Sequence, residues 1–313
     1  MHEFEAFRAV ARAGSFNGGA RALGLTPSAM SQIVRRLEDR VGVQLFHRTT
    51  RRVSPTEMGE RLLTRLNRAF EEIDAAAAEI RGGSGAPVGV VRMVVPRVAY
   101  EDLIEPQLVA LHAALPRVTL DIRVEDAFSD IVGEGVDIGV RLGEFVSEET
   151  VAFPLGPQLR QIAVAAPSYL ATCEAPAHPR DLARHRCIGW RQQTGAAPYR
   201  WEFAKNGEQI AVAVDGPLIL SDRGAAARAA VRGLGIALWV EHRLRPWIEA
   251  RQLIPLLEDW SPPYDGFFAY YHRNRHTSAA TRAVVAFLRK VPGDQGAALS
   301  SEPMRRFHPG VLR

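Results

Sequence analysis

The sequence predicts two architectures in series, an all-α helix-turn-helix unit followed by an α/β unit, and three observations predict them. The first sixty residues parse as short helices with clear stops at Gly14 and Gly24, followed by a strand-like pair. From Met58 to Ile80 apolar residues recur without interruption at steps of three and four. Beyond GGSGAP, residues 82–87, the pattern changes to strands alternating with helices.

Composition leaves room for this. At 313 residues, 47% of them hydrophobic, the chain can bury two or three cores. Its longest apolar runs, such as Gly235 to Val240, fall well short of the roughly 20 residues of a membrane span. MHEFEAFRAV places acids where a signal peptide needs cations, so the expected location is cytoplasmic, with no membrane partner. The two cysteines, Cys173 and Cys187, argue against a disulfide framework and are expected as free, mostly buried thiols. A net charge of +4 is mild for this length. The placement of charge says more: Arg35, Arg36, Arg40, Arg48, Arg51 and Arg52 crowd one short stretch, opposed there only by Glu38 and Asp39. Arginine forks suit phosphates and base edges better than lysine does.

Taken in order, Phe4, Phe7, Val10 and Ala11 space like one helix face that Gly14 ends. Ser15 can cap a second helix whose Ala20 and Leu23 point inward before Gly24 and Leu25 turn the chain. Thr26 then caps a third helix with Pro27 at its first position, where the missing N–H costs nothing. Ala29, Met30, Ile33 and Leu37 form its buried stripe, and Ser28, Ser31, Gln32, Arg35 and Arg36 fill its outer face. A turn between two such helices is a helix-turn-helix. Val43, Leu45 and His47 alternate like a strand, Thr49 and Thr50 bend, and Arg51 to Ser54 return, which makes an arginine-tipped wing.

Pro55 is expected to start a long helix with a seam of Met58, Leu62, Leu66, Phe70, Ile73, Ala77 and Ile80. So regular a stripe suits a coiled-coil dimer interface, against the alternative of a helix packed on its own domain. After the hinge come VGVVRMVVP, a helix to about Ala114, VTLDIRVED and VDIGVRLG. A second unit spans Ile162 to Trp260, and FFAYYH leads to a helix over Thr277 to Lys290. The order predicts a parallel sheet with crossover helices.

These residues add up to a family. FEAFRAVARAGSFNGGARALGLTPSAMSQIVRRLEDRVGVQLFHRTTRRVSPTEMGE resembles the LysR-type transcriptional regulators, through Gly14, Ser15, Phe16, Ser31, Leu37, Glu38, Gly42, Leu45, Phe46, Arg48, Thr56 and Gly59. VDIGVRLGE, APSYL, HPRDLARHRCIGW, WEF and RGLGIAL are similar to landmarks of the subgroup whose wing also reads RTTRR. The resemblance implies an N-terminal all-α winged helix-turn-helix with a long linker helix and a C-terminal α/β two-lobed, periplasmic-binding-protein-like domain. The expected division is a DNA-binding domain at 1–54, a linker (dimerisation) helix at 55–81 and a hinge at 82–89. Lobe I follows at 90–163 and 267–290, lobe II at 164–266, and a tail expected to be disordered at 291–313. Departures are local. Gly18 and Gly19 stand where the family often has alanines, and Trp239 and Val240 where it commonly has Leu-Pro.

The polar face of the third helix thus gains a target in double-stranded promoter DNA. Gln32 and Arg35 are placed to reach base edges in the major groove, with Thr26, Pro27, Ser28, Ser31 and Arg36 around them and Ser28 and Ser31 near enough to the helix start to donate to phosphates. Which of these touches a base is left open. Arg48, Arg51 and Arg52 are expected along the backbone or in a narrow minor groove. The seam supports a homodimer, and the resemblance adds a homotetramer and a small-molecule effector held between the lobes.

Open α/β sheets bind ligands at the carboxyl ends of strands, which here singles out Arg97, Val98, Phe128, Arg141, Trp190, Arg191, Ser221 and Asp222. Ser221 reads as a helix cap whose free N–H groups would suit an anion, and Arg97 and Arg141 would suit a carboxylate effector. No catalytic, metal or cofactor site is expected. Gly233 in GLGIA follows a helix and lacks a dinucleotide spacing, GGSGA lacks the order of a hydrolase elbow, and His272 with His276 lacks a partnering Glu. Two other readings stay open: a thiol-based redox regulator using Cys173 and Cys187, and a small-molecule binding protein or transferase whose N-terminal helices contact protein.

Overall fold

The computed structural model describes residues 2–48, 53–82, 86–126, 135–143, 150–191, 197–273 and 277–290. Arg51, Arg52, Phe128, His276 and the segment from 291 lie outside the described residues, as do the side chains of Arg48 and Ile80.

Three helices, α1 (His2–Ala13), α2 (Phe16–Ala22) and α3 (Pro27–Val41), enclose a core of Ala6, Phe7, Val10, Ala20, Met30, Ile33, Val34 and Leu37. The expected caps are in place: Ser15 Oγ accepts from the Gly18 N–H at 3.1 Å and Thr26 Oγ1 from the Ala29 N–H at 3.2 Å. Gly42 closes α3 in the left-handed region, φ 73°. Gly19 explains its own departure from alanine. A Cβ there would lie 2.8 Å from the Val10 backbone nitrogen, so close contact between α1 and α2 replaces the helix propensity that glycine gives up.

The wing is shorter than the alternation of apolar residues suggests. Strands β1 (Phe46–Arg48) and β2 (Val53–Pro55) pair antiparallel, with Phe46 opposite Pro55, while Val43 lies outside the ladder and exposed. Pro55 therefore ends a strand instead of opening the long helix, and α4 runs Glu57–Gly82. Thr56 caps it, its Oγ1 accepting from the Gly59 N–H at 3.1 Å and donating to the Gln44 carbonyl at 2.8 Å. The seam divides its contacts. Leu62 and Leu66 pack against the N-terminal helical core of the same chain, Phe70 lies under the Arg8 guanidinium at 4.1 Å, and Met58 and Ile73 remain exposed. Further along α4, Arg68 forms an ion pair with Asp137, whose other carboxylate oxygen accepts the Arg92 N–H at 3.0 Å. The linker helix is thereby tied to the first lobe.

That lobe is a five-stranded sheet in the order β4 (Val118–Val124), β3 (Gly89–Val95), β5 (Ile138–Leu142), β14 (Phe267–His272), β6 (Thr150–Pro154). Only β4, β3 and β5 are parallel; β14 runs against both of its neighbours, so the expected parallel sheet is a mixed one. From β3 the chain enters α5 (Arg97–Ala99), a π turn over Tyr100–Ile104, a 3-10 turn over Glu105–Gln107 and α6 (Leu108–Ala114). Pro106 has no N–H to continue the ladder, which accounts for the tightened turn at its position. The last helix, α10 (Ala279–Leu288), buries Ala280, Val284, Val285 and Leu288.

Lobe II holds β12 (Ala237–Val240), β7 (Gln161–Ala165) and β13 (Ile254–Leu256) in one antiparallel sheet. The parallel pair β8 (Ile188–Trp190) and β11 (Leu218–Leu220) joins it through a Cys187–Ile236 bridge. Helices α7 (Pro167–Leu170), α8 (Arg223–Val231) and α9 (Glu241–Glu249) and the hairpin β9 (Trp201–Lys205) with β10 (Glu208–Val212) complete it. Because β7 belongs wholly to this sheet, it spans the division drawn at 163/164. The lobes are joined by two crossing segments that touch each other, Leu159 bridging Tyr264, with Leu155 N–H donating to the Phe267 carbonyl at 2.7 Å. Trp239 and Val240, the departure from Leu-Pro, are buried in β12.

Candidate functional site

Two surfaces carry chemistry. On α3 the residues singled out from sequence share one outer face: Thr26, Pro27, Ser28, Gln32, Arg35 and Arg36 are exposed and Ser31 is half-buried. Thr26 and Ser28 hydroxyls lie 3.2 Å apart at the helix start. Arg40 is neutralised by Glu3 at 3.0 Å and stacks on Phe4, whereas Arg35 and Arg36 make no ion pair among the described residues. Glu38, counted from sequence as an acid opposing these arginines, turns inward. Its Oε1 accepts the N–H groups of Leu45 at 2.9 Å and Phe46 at 3.3 Å, so it pins the wing to α3 and leaves the outer face more basic than its spelling. Phe46 in turn packs on Phe7, ring centroids 4.9 Å apart. A long-range signal of this kind, a carboxylate seven residues from the N–H it serves, has no local pattern in sequence.

The second surface lies where the carboxyl ends of β3, β4, β8 and β11 and the two crossing segments converge. Here the sequence-derived set is rearranged. The cap of α8 is Asp222, whose Oδ1 accepts the Ala225 N–H at 3.0 Å; Ser221 instead offers its carbonyl to Trp190 Nε1 at 3.2 Å. In lobe I the Arg97 N–H is taken by Asp126 Oδ1 at 2.9 Å. The helix start that looked ready for an anion thus holds the protein's own Asp222, and the backbone of Arg97 is likewise met by the protein's own Asp126. The Arg97 side chain is 59% exposed and pairs with Glu101 at 4.0 Å, and the Arg141 guanidinium lies 4.3 Å from the Tyr270 ring centroid. Val98 packs on the lobe I core, and Arg191 contributes an N–H to the Leu220 carbonyl at 2.9 Å.

What the structure puts at the centre is Arg223, absent from the sequence-derived set. Its guanidinium lies 3.9 Å from the Trp190 ring centroid and 5.3 Å from that of Tyr199, and Nη1 donates to Gln161 Oε1 at 3.1 Å. Gln161 Nε2 donates on to Tyr264 Oη at 3.2 Å, and the Tyr199 hydroxyl donates to Glu202 at 3.1 Å. Burial lowers the Arg223 pKa, though an arginine stays charged. Burial raises that of Tyr199, with the neighbouring Glu202 charge adding to it, and burial also raises Glu202. Arg223 follows Ser221-Asp222 at the start of a helix; a basic residue three places past the end of β11 was the available signal.

A further set of charges bridges the lobes. Asp102 accepts from His242 at 2.7 Å and pairs with Arg243 at 2.5 Å, and Glu101 pairs with Arg243 at 2.8 Å. Burial opposes ionisation of Asp102, but the hydrogen bonds from His242 and Arg243 outweigh it and hold its pKa below the usual carboxylate range.

The cysteines bear on the redox reading. Cys187 is fully buried, its thiol directed at the Leu182 carbonyl, and burial pushes its pKa up to about 12. Cys173 is half-buried, 3.8 Å from His185 Nδ1. Because the thiolate is the reactive form, iodoacetamide at pH 8 should leave Cys187 unlabelled in the folded chain and label it once denaturant is added. Mass mapping of Cys187 labelled at the rate of a free thiol without denaturant would contradict this burial.

A helix-turn-helix whose third helix has a basic outer face, carried on a long helix and followed by two α/β lobes whose strand ends meet, has the build of a ligand-responsive DNA-binding protein. Comparison with known proteins makes this specific. Residues 1–60 match the family described as bacterial regulatory helix-turn-helix protein, lysR family, and residues 84–292 match the LysR substrate binding domain. The chain belongs to the LysR family and is a LysR-type transcriptional regulator with an effector-binding domain. It is similar to the HTH-type transcriptional regulator YcaN of Escherichia coli, 35% identical over 92% of this chain and 94% of that one. The Escherichia coli regulator PgrR is 31% identical over 88% and 92%. Its fold is similar to that of full-length LysG from Corynebacterium glutamicum with bound effector Arg, TM-score 0.60, 22% identical, covering 92% and 97% of the two chains. Among the described residues no helix is long and apolar enough to cross a membrane.

Proposed function

We propose that α3 reads promoter DNA through Gln32 and Arg35, with Ser28, Ser31 and Arg36 at phosphates, and that the arginines of the wing, Arg48, Arg51 and Arg52, follow the backbone beside it. The observation that carries this reading is that Arg35 and Arg36, on an exposed face, form no ion pair among the described residues, beside an Arg40 that is neutralised by Glu3. A solvated face without a partner would pair its arginines as Arg40 is paired. Arg35 can take guanine O6 and N7 together, and Gln32 one helical turn before it can take adenine N6 and N7. Met58 and Ile73, exposed on the long helix, mark the stripe through which two chains pair, so that two recognition helices face successive major grooves. The protein acts by binding and carries no reaction of its own. A small effector in the cleft would favour one closure of the lobes and so one spacing of the paired helices; the bound effector of the similarly folded LysG agrees with a ligand-holding role for this domain.

Selection of bound fragments from a random double-stranded pool by the full chain tests the reading. A motif of two inverted half-sites is expected. No enrichment over the starting pool, at a salt concentration where the chain is folded and monodisperse, would overturn it.

A further inference from the structure

We infer that the cleft takes a small monocarboxylate with a flat apolar body, and that Arg223 is its anchor. The inference rests on the effector-binding role proposed above and names the chemistry of that ligand. Arg223 is held rather than free to swing: its face is stacked on Trp190 at 3.9 Å, and Nη1 is committed to Gln161, whose amide is oriented in turn by Tyr264. Among the described residues Arg223 makes no ion pair, and its Nε and Nη2 donate to no described group.

The acids around it each have another partner, although Asp126 and Glu202 also favour its charge from a distance. Glu202 accepts from Tyr199, Asp222 caps α8 and lies 3.8 Å from Arg228, and Asp126 accepts the Arg97 N–H. A fixed, partly desolvated guanidinium with an open edge is built for a bidentate oxyanion. One charge on the ligand is enough, because the other two candidate arginines are placed elsewhere, Arg97 beside Glu101 and Arg141 over Tyr270. Trp190, Tyr199 and Tyr264 give the surroundings an aromatic lining that favours a flat apolar body over a second carboxylate.

The experiment uses the full chain and follows intrinsic tryptophan fluorescence and thermal unfolding with phenylacetate, phenylacetamide and succinate, and in the same preparation measures binding to the selected DNA. Phenylacetate is expected to give a saturable response, phenylacetamide and succinate none. Arg223→Gln should weaken phenylacetate by about 30-fold or more, and Arg223→Lys, which keeps the charge but loses the fork, by less. Circular dichroism and DNA binding of both variants check that they fold. A response to phenylacetamide equal to that of phenylacetate, or a phenylacetate response that survives Arg223→Gln, overturns the carboxylate assignment while leaving an effector cleft in place. DNA binding with no response to phenylacetate overturns the assignment and leaves the regulator standing. Loss of sequence-selective DNA binding in the parent chain removes the underlying reading instead.

Discussion

Arg35→Ala is expected to fold as the parent chain does and to lose its selected DNA site by roughly 30-fold or more. The magnitude follows from one bidentate base contact, about 1–3 kcal/mol, lost from each of two recognition helices in a dimer. Folding is spared because Arg35 is exposed and has no ion-pair partner among the described residues, and such surface changes stay within about 0.5 kcal/mol. Fluorescence anisotropy with labelled site and scrambled DNA separates the two contributions. Binding to the scrambled sequence should fall much less than binding to the site. An equal fall on both would make Arg35 a phosphate contact, and no fall would remove it from the interface.

Gly59→Ala should act on the opposite link, stability of the junction between wing and linker. A Cβ at Gly59 would lie 2.1 Å from the Leu45 carbonyl oxygen, which is backbone and cannot rotate away; the same carbonyl accepts the Thr56 N–H at 2.9 Å. Overpacking of this kind costs about 1–3 kcal/mol even where side chains can yield, so the upper part of that range or beyond is expected here. The small N-terminal core has little stability to spare. Thermal unfolding of the variant should show a separate early transition, with amide exchange accelerated at Leu45 and Phe46 and unchanged in lobe II. A single transition at the parent temperature would mean that the junction relaxes without cost.

Local chemistry was legible from spelling. Ser15 and Thr26 as caps, Pro27 at a first helical turn and Gly14 as a stop each depend on residues within a turn of one another, and each is where the pattern put it. The match of Gly59 to its family is equally legible, but its reason, the carbonyl of Leu45, comes from an approach across the wing. The wing strands were harder. Two three-residue strands offer too little alternation to set their ends, and Pro55, a helix starter by habit, occupies a strand edge where its missing N–H also costs nothing.

The cleft shows where spelling fails most. Strand-end counting found Trp190 and Asp222, yet missed Arg223 because what makes it special is a stack on Trp190 and a bond to Gln161, 62 positions earlier in the chain. It promoted Arg97 and Arg141, whose positions at strand ends are real and whose side chains are drawn to Glu101 and Tyr270. Counting strand ends finds the neighbourhood; tertiary partners decide which side chains remain free to act.

The central claim is that a basic face on α3 neutralises DNA phosphates and reads bases. The most direct test is the affinity of the full chain for its selected site across a series of salt concentrations, beside a scrambled duplex of equal length. The account predicts that log K falls linearly with log salt on both duplexes, each neutralised phosphate adding about 0.9 to the slope, with the selected site tighter throughout. Affinity indifferent to salt, or equal for both duplexes at every concentration, would contradict it.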